Sequence, residues 1–128
     1  MKKVEAIITP SRLEAVRESL VARGVQALSL TEVRGAGHEP KFIGHYRGAS
    51  YGIDLHPKLK LEVVVRDADA VPIAYTIVDA ARSGQVGDGK VLIAHVEDAV
   101  RIRTGERGPA AVQDELDRAV EPRLAALG

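Results

Sequence analysis

The sequence holds no cysteine and no tryptophan, and only one methionine, one phenylalanine and three tyrosines among its 128 residues. Without cysteine there is no disulfide, no thiol nucleophile and no cysteine-ligated zinc, as in proteins of a reducing compartment. The shortage of aromatics leaves Val, Ala, Leu and Ile to fill the interior, so a core of small aliphatic side chains is expected. Net charge is missing as well, since 18 Lys and Arg balance 18 Asp and Glu. A balanced chain has no global field to draw it to nucleic acid or to an anionic membrane. No apolar run is long enough to span a bilayer, and no signal-peptide hydrophobic region follows Met1-Lys2-Lys3. A cytoplasmic protein with no direct membrane insertion is expected. The length suits one domain with a modest core.

What is present begins with alternation. Val4, Ala6 and Ile8 fall on one face of a strand and Glu5 and Ile7 on the other, until Pro10 ends the pattern. Ser11-Arg12-Leu13-Glu14 matches a capping box, and Leu13, Val16 and Leu20 recur at helical spacing before Gly24, a natural C′ residue. Residues 25–33 read as a second strand. In residues 58–65, Leu59, Leu61, Val63 and Val65 share one face, and Lys58, Lys60 and Glu62 share the other. Asp69 is expected to cap a second helix, with Pro72 in its first turn and Val71, Ala74, Ile77, Val78 and Ala81 as the buried stripe. A fourth strand is expected over 91–96. The order β-α-β, long loop, β-α-β predicts an α+β, ferredoxin-like split βαβ fold: a four-stranded antiparallel sheet with two helices on one face. The other face stays bare, which favours an oligomer. This domain is expected to cover residues 1–112, with 113–128 as a C-terminal extension. An amphipathic helix is expected over 110–127, interrupted by Pro122.

Two stretches carry candidate chemistry. Residues 34–57 show no sustained period of 2 or 3.6 and contain Gly35, Gly37, Gly44, Gly48 and Gly52. A structureless loop of about 20 residues is normally functional or disordered. Phe42, Ile43, Tyr46, Tyr51, Ile53 and Leu55 argue against disorder, so a protruding interaction loop is expected. The second stretch is Gly84-Gln85-Val86-Gly87-Asp88-Gly89-Lys90. Glycines let backbone amides approach an anion, and a lysine can reach a phosphate. It is not a Walker A motif, because a strand rather than a helix follows. A plain helix-to-strand turn is the alternative. Arg101-Ile102-Arg103, read as extended, projects both guanidiniums to one side. Lys90, Arg101, Arg103 and the Gly87 and Gly89 amides together would make a polyphosphate cradle.

These blocks resemble the PII signal-transduction proteins. The resemblance runs from Met1 to about Val112. It rests on Thr31-Glu32-Val33-Arg34-Gly35-Ala36-Gly37, Tyr46-Arg47-Gly48-Ala49-Ser50-Tyr51 and Pro57-Lys58-Leu59-Lys60-Leu61-Glu62. The glycine run and Arg101-Ile102-Arg103-Thr104-Gly105-Glu106 complete it. The resemblance implies a homotrimer that binds ATP or ADP competitively in clefts between subunits. It implies that Gly35, Gly37, His38 and Glu39 line the cleft at the loop base, and that Gly87, Asp88, Gly89 and Lys90 hold phosphates. Arg101 and Arg103 would reach in from the neighbouring subunit, and Ile7, Ser29, Glu62 and Val64 would lie near the adenine and ribose. Residues 36–56 would be the T-loop, which engages a membrane transporter such as an ammonium channel, or a cytoplasmic enzyme. Tyr51 matches a position that a nucleotidyltransferase modifies in some members. The family is regulatory rather than enzymatic.

Departures from the family pattern gather at the loop base. Members that sense 2-oxoglutarate carry glutamine at position 39, ligating a Mg²⁺ that bridges ATP and the oxo-acid; this chain has Glu39. A carboxylate can ligate Mg²⁺ but adds negative charge beside two anions. His38 replaces a usual arginine, Lys41 and Gly44 replace the usual Gly and Glu, and Pro40 stiffens the segment. Lys58, at the oxo-acid carboxylate position, is retained. Adenine-nucleotide binding is therefore expected to persist and 2-oxoglutarate sensing through Glu39 and Lys58 to be weak. Two alternatives stay open. His38, His45 and His56 would suit a metal effector at the loop, although their spacing fits no helix or tight-turn ligand pattern. A phosphotransferase could use the same cradle, but no nucleophile or general base adjoins it in sequence.

Overall fold

The computed structural model describes residues 1–25, 27–36, 42–46, 49–53 and 55–112, and within 42–46 and 49–53 the backbone only. Strand β1 spans Lys2–Ile8, helix α1 Leu13–Ala22 and strand β2 Ser29–Gly35. Strands β3 (Phe42–Tyr46) and β4 (Ala49–Ile53) come next, then β5 (His56–Val65), helix α2 (Asp67–Ala81), strand β6 (Gly89–His95) and a single-turn helix α3 (Pro109–Val112). The main sheet has the order β2-β5-β1-β6, antiparallel throughout, and β3 and β4 form a separate two-stranded sheet. This is the α+β, ferredoxin-like arrangement that the sequence predicts.

The alternation of β1 is visible as burial: Val4, Ala6 and Ile8 are fully covered, while Lys3, Glu5 and Ile7 are half-buried. Leu59, Leu61 and Val65 of β5 join Val16 and Leu20 of α1 and Ala70, Ile73, Ala74, Ile77 and Ala81 of α2 in one cluster. Among the described residues its members are Val, Ala, Leu and Ile, the small aliphatic core that the composition led us to expect. Helix α1 ends as anticipated at Gly24, with φ 85°. Val25 N–H donates to Leu20 O and Gly24 N–H to Val21 O, the paired bonds of a Schellman motif, and both Leu20 and Val25 are buried.

Several local expectations are corrected. No capping box starts α1: a 3-10 turn over Pro10–Arg12 leads into it, and Arg12 holds the cap position without a side-chain cap bond. The turn instead gives the first helical donor its partner, since Leu13 N–H donates to Pro10 O. Helix α2 begins at Asp67, and Asp69 lies inside its first turn, accepting from Arg66 Nε at 3.0 Å. Pro72 is therefore in the helix interior rather than the first turn. The buried stripe is Ala70, Ile73, Ala74, Ile77 and Ala81, whereas Val71 is exposed and Val78 half-buried. Three alanines in that stripe let α2 lie close to its neighbours.

The largest correction concerns 34–57. Strand β2 continues to Gly35 and β5 starts at His56, paired with it. Between them, β3 and β4 pair in register from Phe42↔Ile53 to Tyr46↔Ala49, joined through residues 47 and 48. Regular backbone pairing therefore stands at 42–46 and 49–53, where no regular structure was expected. The expected tail helix lies outside the described residues beyond α3.

Candidate functional site

Register places the candidate residues on a common surface. Opposed residues of antiparallel strands share a face, and Ile7 is opposed by Lys60 on one side and Lys90 on the other. Glu62 stands between Ser29 and Glu5, and Val64 is opposite Lys3. Ile7, Ser29, Glu62, Val64 and Lys90 thus lie on the sheet face turned away from the helices. Its charges are already arranged: Lys3 Nζ is 3.4 Å from Glu62 and 3.8 Å from Glu5, and Lys60 Nζ is 3.6 Å from Glu62. The two lysines separate carboxylates that would otherwise repel across the β1–β5 pair.

The glycine turn stands at one end of this face. Gly84, Gly87 and Gly89 all have positive φ, at 86°, 99° and 102°. Gly89 is irreplaceable on packing grounds as well, because a Cβ there would sit 1.7 Å from Ile7 O. Asp88 braces the turn from within. Its Oδ2 accepts from Ser83 N–H at 2.8 Å and Gly84 N–H at 2.9 Å, and its Oδ1 from the Ser83 hydroxyl. The Ser83 hydroxyl, the Ser83 and Gly84 amides and Arg12 hold the Asp88 carboxyl below its ordinary value, the hydroxyl acting most strongly. Asp88 is thereby a structural carboxylate occupying amides that an anion could otherwise use. Lys90 is exposed. On the helix side, a cleft of about 190 Å³ opens among Ile8, Val78, Ala81, Arg82 and Val91. Small-molecule sites run to roughly 300–1,000 Å³, so this cleft is too small for a whole nucleotide.

Lys58 departs from its expected setting. It is on the charged face by register, opposite Val33, yet it is buried, and its Nζ donates to Gly87 O at 2.6 Å. The sequence carries no signal for this bond, which joins residues 29 positions apart. Arg101 and Arg103 are not in an extended segment: residues 102–104 form a turn, closed by the Val100↔Arg107 bridge. Arg101 Nη2 lies 3.5 Å from Ala110 O and Nε 3.8 Å from Glu106, while Ile102 at the tip is fully exposed. Strand β6 leads away from the glycine turn, so the chain reaches both arginines only after leaving the opposite end of the strand.

Gly37, His38 and Glu39 lie outside the described residues, and of His45, Tyr46 and Tyr51 only the backbone is described. Among the described residues no group of three or more His, Asp or Glu could hold a metal ion. No described helix is long and apolar enough to cross a membrane.

Comparison with known proteins accounts for this arrangement. The family model described as nitrogen regulatory protein P-II matches residues 1–106. The nitrogen regulatory protein P-II of Cereibacter sphaeroides is 51% identical over 112 residues, covering 88% of this chain and all of the relative. Nitrogen regulatory protein P-II 2 of Methanothermobacter thermautotrophicus is 48% identical over 112 residues, 88% of this chain and 97% of the relative. The Haemophilus influenzae protein of the first name is 47% identical over the same share of this chain and the whole of the relative. Sheet order, glycine turn and motif blocks agree with a match that spans the whole folded unit: the chain belongs to the nitrogen regulatory protein P-II family.

Proposed function

We propose that this chain is an adenine-nucleotide sensor that works as a homotrimer. ATP and ADP compete for a cleft between neighbouring protomers, and the occupant sets the pose of residues 36–56 toward a partner, either a membrane transporter or a cytoplasmic enzyme. The observation that carries this reading is the register of the bare face. It sets Ile7, Ser29, Glu62 and Val64 on the same face as Lys90, with Ile7 directly opposite Lys90 at the end nearest the glycine turn and Val64, opposite Lys3, farther along. One protomer supplies an adenine-and-ribose surface and half a phosphate site. Arg101 and Arg103 belong to a turn beyond the far end of β6, and their convergence on the same phosphates is assigned to the next protomer.

The residues fit a nucleotide in part. With Ser83 and Gly84 amides engaged by Asp88, the ligand-facing portion of the turn is Gly87, Gly89 and the Lys90 ammonium. Phosphate bonds to such groups are charge-assisted and short. Mg²⁺, if bound with ATP, would be held through Glu39 and the phosphates, as hard oxygen ligands. Since the two nucleotides differ in charge at the loop base, each stabilises a different population of the 36–56 segment.

Titration calorimetry with ATP, ADP and AMP, with and without Mg²⁺ and 2-oxoglutarate, tests this. We expect ATP and ADP to compete for one class of site. Lys90→Ala and Arg103→Ala should each weaken binding by about tenfold or more, the loss of a charge-assisted contact of about 1.4 kcal/mol. Little synergy with 2-oxoglutarate is expected. Indifference to both nucleotides at millimolar concentration would remove the reading.

A further inference from the structure

The turn that follows β6 brings cations and apolar side chains to one exposed spot. Ile102 at its tip is 100% exposed and Val100 57%, with Arg101 and Arg103 on either side of the isoleucine. The fold returns the end of the described chain to this turn. Gly108 N–H donates to Ala99 O at 3.0 Å, α3 follows at once, and Ala110 O lies 3.5 Å from Arg101 Nη2. Residues 113–128, outside the described residues, therefore depart from beside the arginines. Their sequence opens with Asp114, Glu115, Leu116 and Asp117, three carboxylates around a leucine. At full extension only about 14 Å of chain separates Asp114 from Ala110. The Cereibacter sphaeroides and Haemophilus influenzae relatives are spanned in full by 112 residues, and the family model starts at residue 1. The acidic stretch is thus an addition to the unit that this chain shares with them.

Charge, apolar content and tether length agree on one occupant for the turn. We propose that Asp114, Glu115 and Asp117 seat on Arg101 and Arg103, with Leu116 against the aliphatic tip, and shield both guanidiniums from incoming anions. Guanidinium–carboxylate bonds are charge-assisted and share their fork geometry with guanidinium–phosphate bonds, so tail and phosphate are alternatives at the same groups. An exposed ion pair is weak by itself. Tethering makes the contact intramolecular, at an effective concentration in the millimolar range, and several weak pairs then suffice. The shielding belongs to the ligand-free chain; its regulatory sense, a raised threshold for nucleotide, rests on the function proposed above.

Arginine labelling in the absence of nucleotide tests the contact. Phenylglyoxal, a neutral guanidinium reagent, is applied to the full chain and to the triple variant Asp114→Asn, Glu115→Gln, Asp117→Asn, and modification is read by peptide mass spectrometry. We expect Arg103 to react at least about twofold faster in the variant, the scale of exposed ion pairs, with Arg17 on α1 unchanged. A chain lacking residues 113–128 should show the same gain. Equal or slower labelling of Arg103 in either variant overturns the proposal. ATP should bind both variants about twofold or more tighter than the full chain, and the gain should vanish in the Arg103→Ala background. Unchanged affinity in a chain that binds ATP overturns the shielding as well. A chain that labels as expected but ignores ATP would sink the proposed function and leave the tail contact standing.

Discussion

At the scale of single residues, Asp88 shows how position outweighs type. A carboxylate inside a glycine-rich run reads as a neighbour of bound phosphate, but the side chain instead turns inward and closes the turn through Ser83 and Gly84. Its folded-state pKa lies below its ordinary value, chiefly through the Ser83 hydroxyl. The stabilisation it gives is therefore complete above the ordinary aspartate range of about 4 and fades as pH falls through the lower folded value. Amide exchange at 83 and 84, corrected for intrinsic rates, should accelerate on acidification below about pH 4. Asp88→Asn should abolish that step, and a step of equal size in the variant would assign it to another group. Gly24 and Gly89 were legible in the sequence because a left-handed residue ending a helix, or opening a strand after a tight turn, has few substitutes. Lys58 was half legible. Alternation gave its face, but burial depends on a carbonyl brought from a distant turn, which no local pattern encodes.

At the scale of elements, periodicity located both long helices and all four strands of the main sheet, while their ends moved. The capping positions moved because a 3-10 turn leads into α1, with Leu13 N–H donating to Pro10 O, and because α2 starts two residues before Asp69, whose N–H donates to Arg66 O. Pro72 shows the tertiary structure overriding propensity. At the sixth residue of α2 it has no N–H to offer the preceding turn, and Thr76 Oγ1 donates back to Pro72 O at 2.8 Å. Because Pro72 is exposed, Pro72→Ala restores a donor without opening a cavity. It should stabilise the fold by about 1–3 kcal/mol, read as a raised urea midpoint with unchanged slope. A destabilised variant would show that the ring matters to packing. The β3–β4 pair escaped sequence reading because its five-residue strands are interrupted by Gly44 and Gly52, which blur alternation.

At the scale of the molecule, one helical layer covers one side of the sheet and leaves the other to ion pairs and to side chains such as Leu92, 47% exposed and opposite Glu5. If three copies meet there, Leu92→Arg should shift sedimentation from trimer toward monomer and weaken ATP binding in parallel. An unchanged trimer would place the interface elsewhere. The bare face was legible in the alternation of the strands and favours an oligomer, while a trimer is what the family resemblance implies, since a single chain does not state what covers that face. The separate β3–β4 sheet has a further consequence. Two hydrogen-bonded strands of five residues, at about 3.4 Å each, form a ribbon about 17 Å long. A slip of that pairing by one residue would exchange the faces of every residue in the ribbon, so its register, more than its composition, decides which residues stand together.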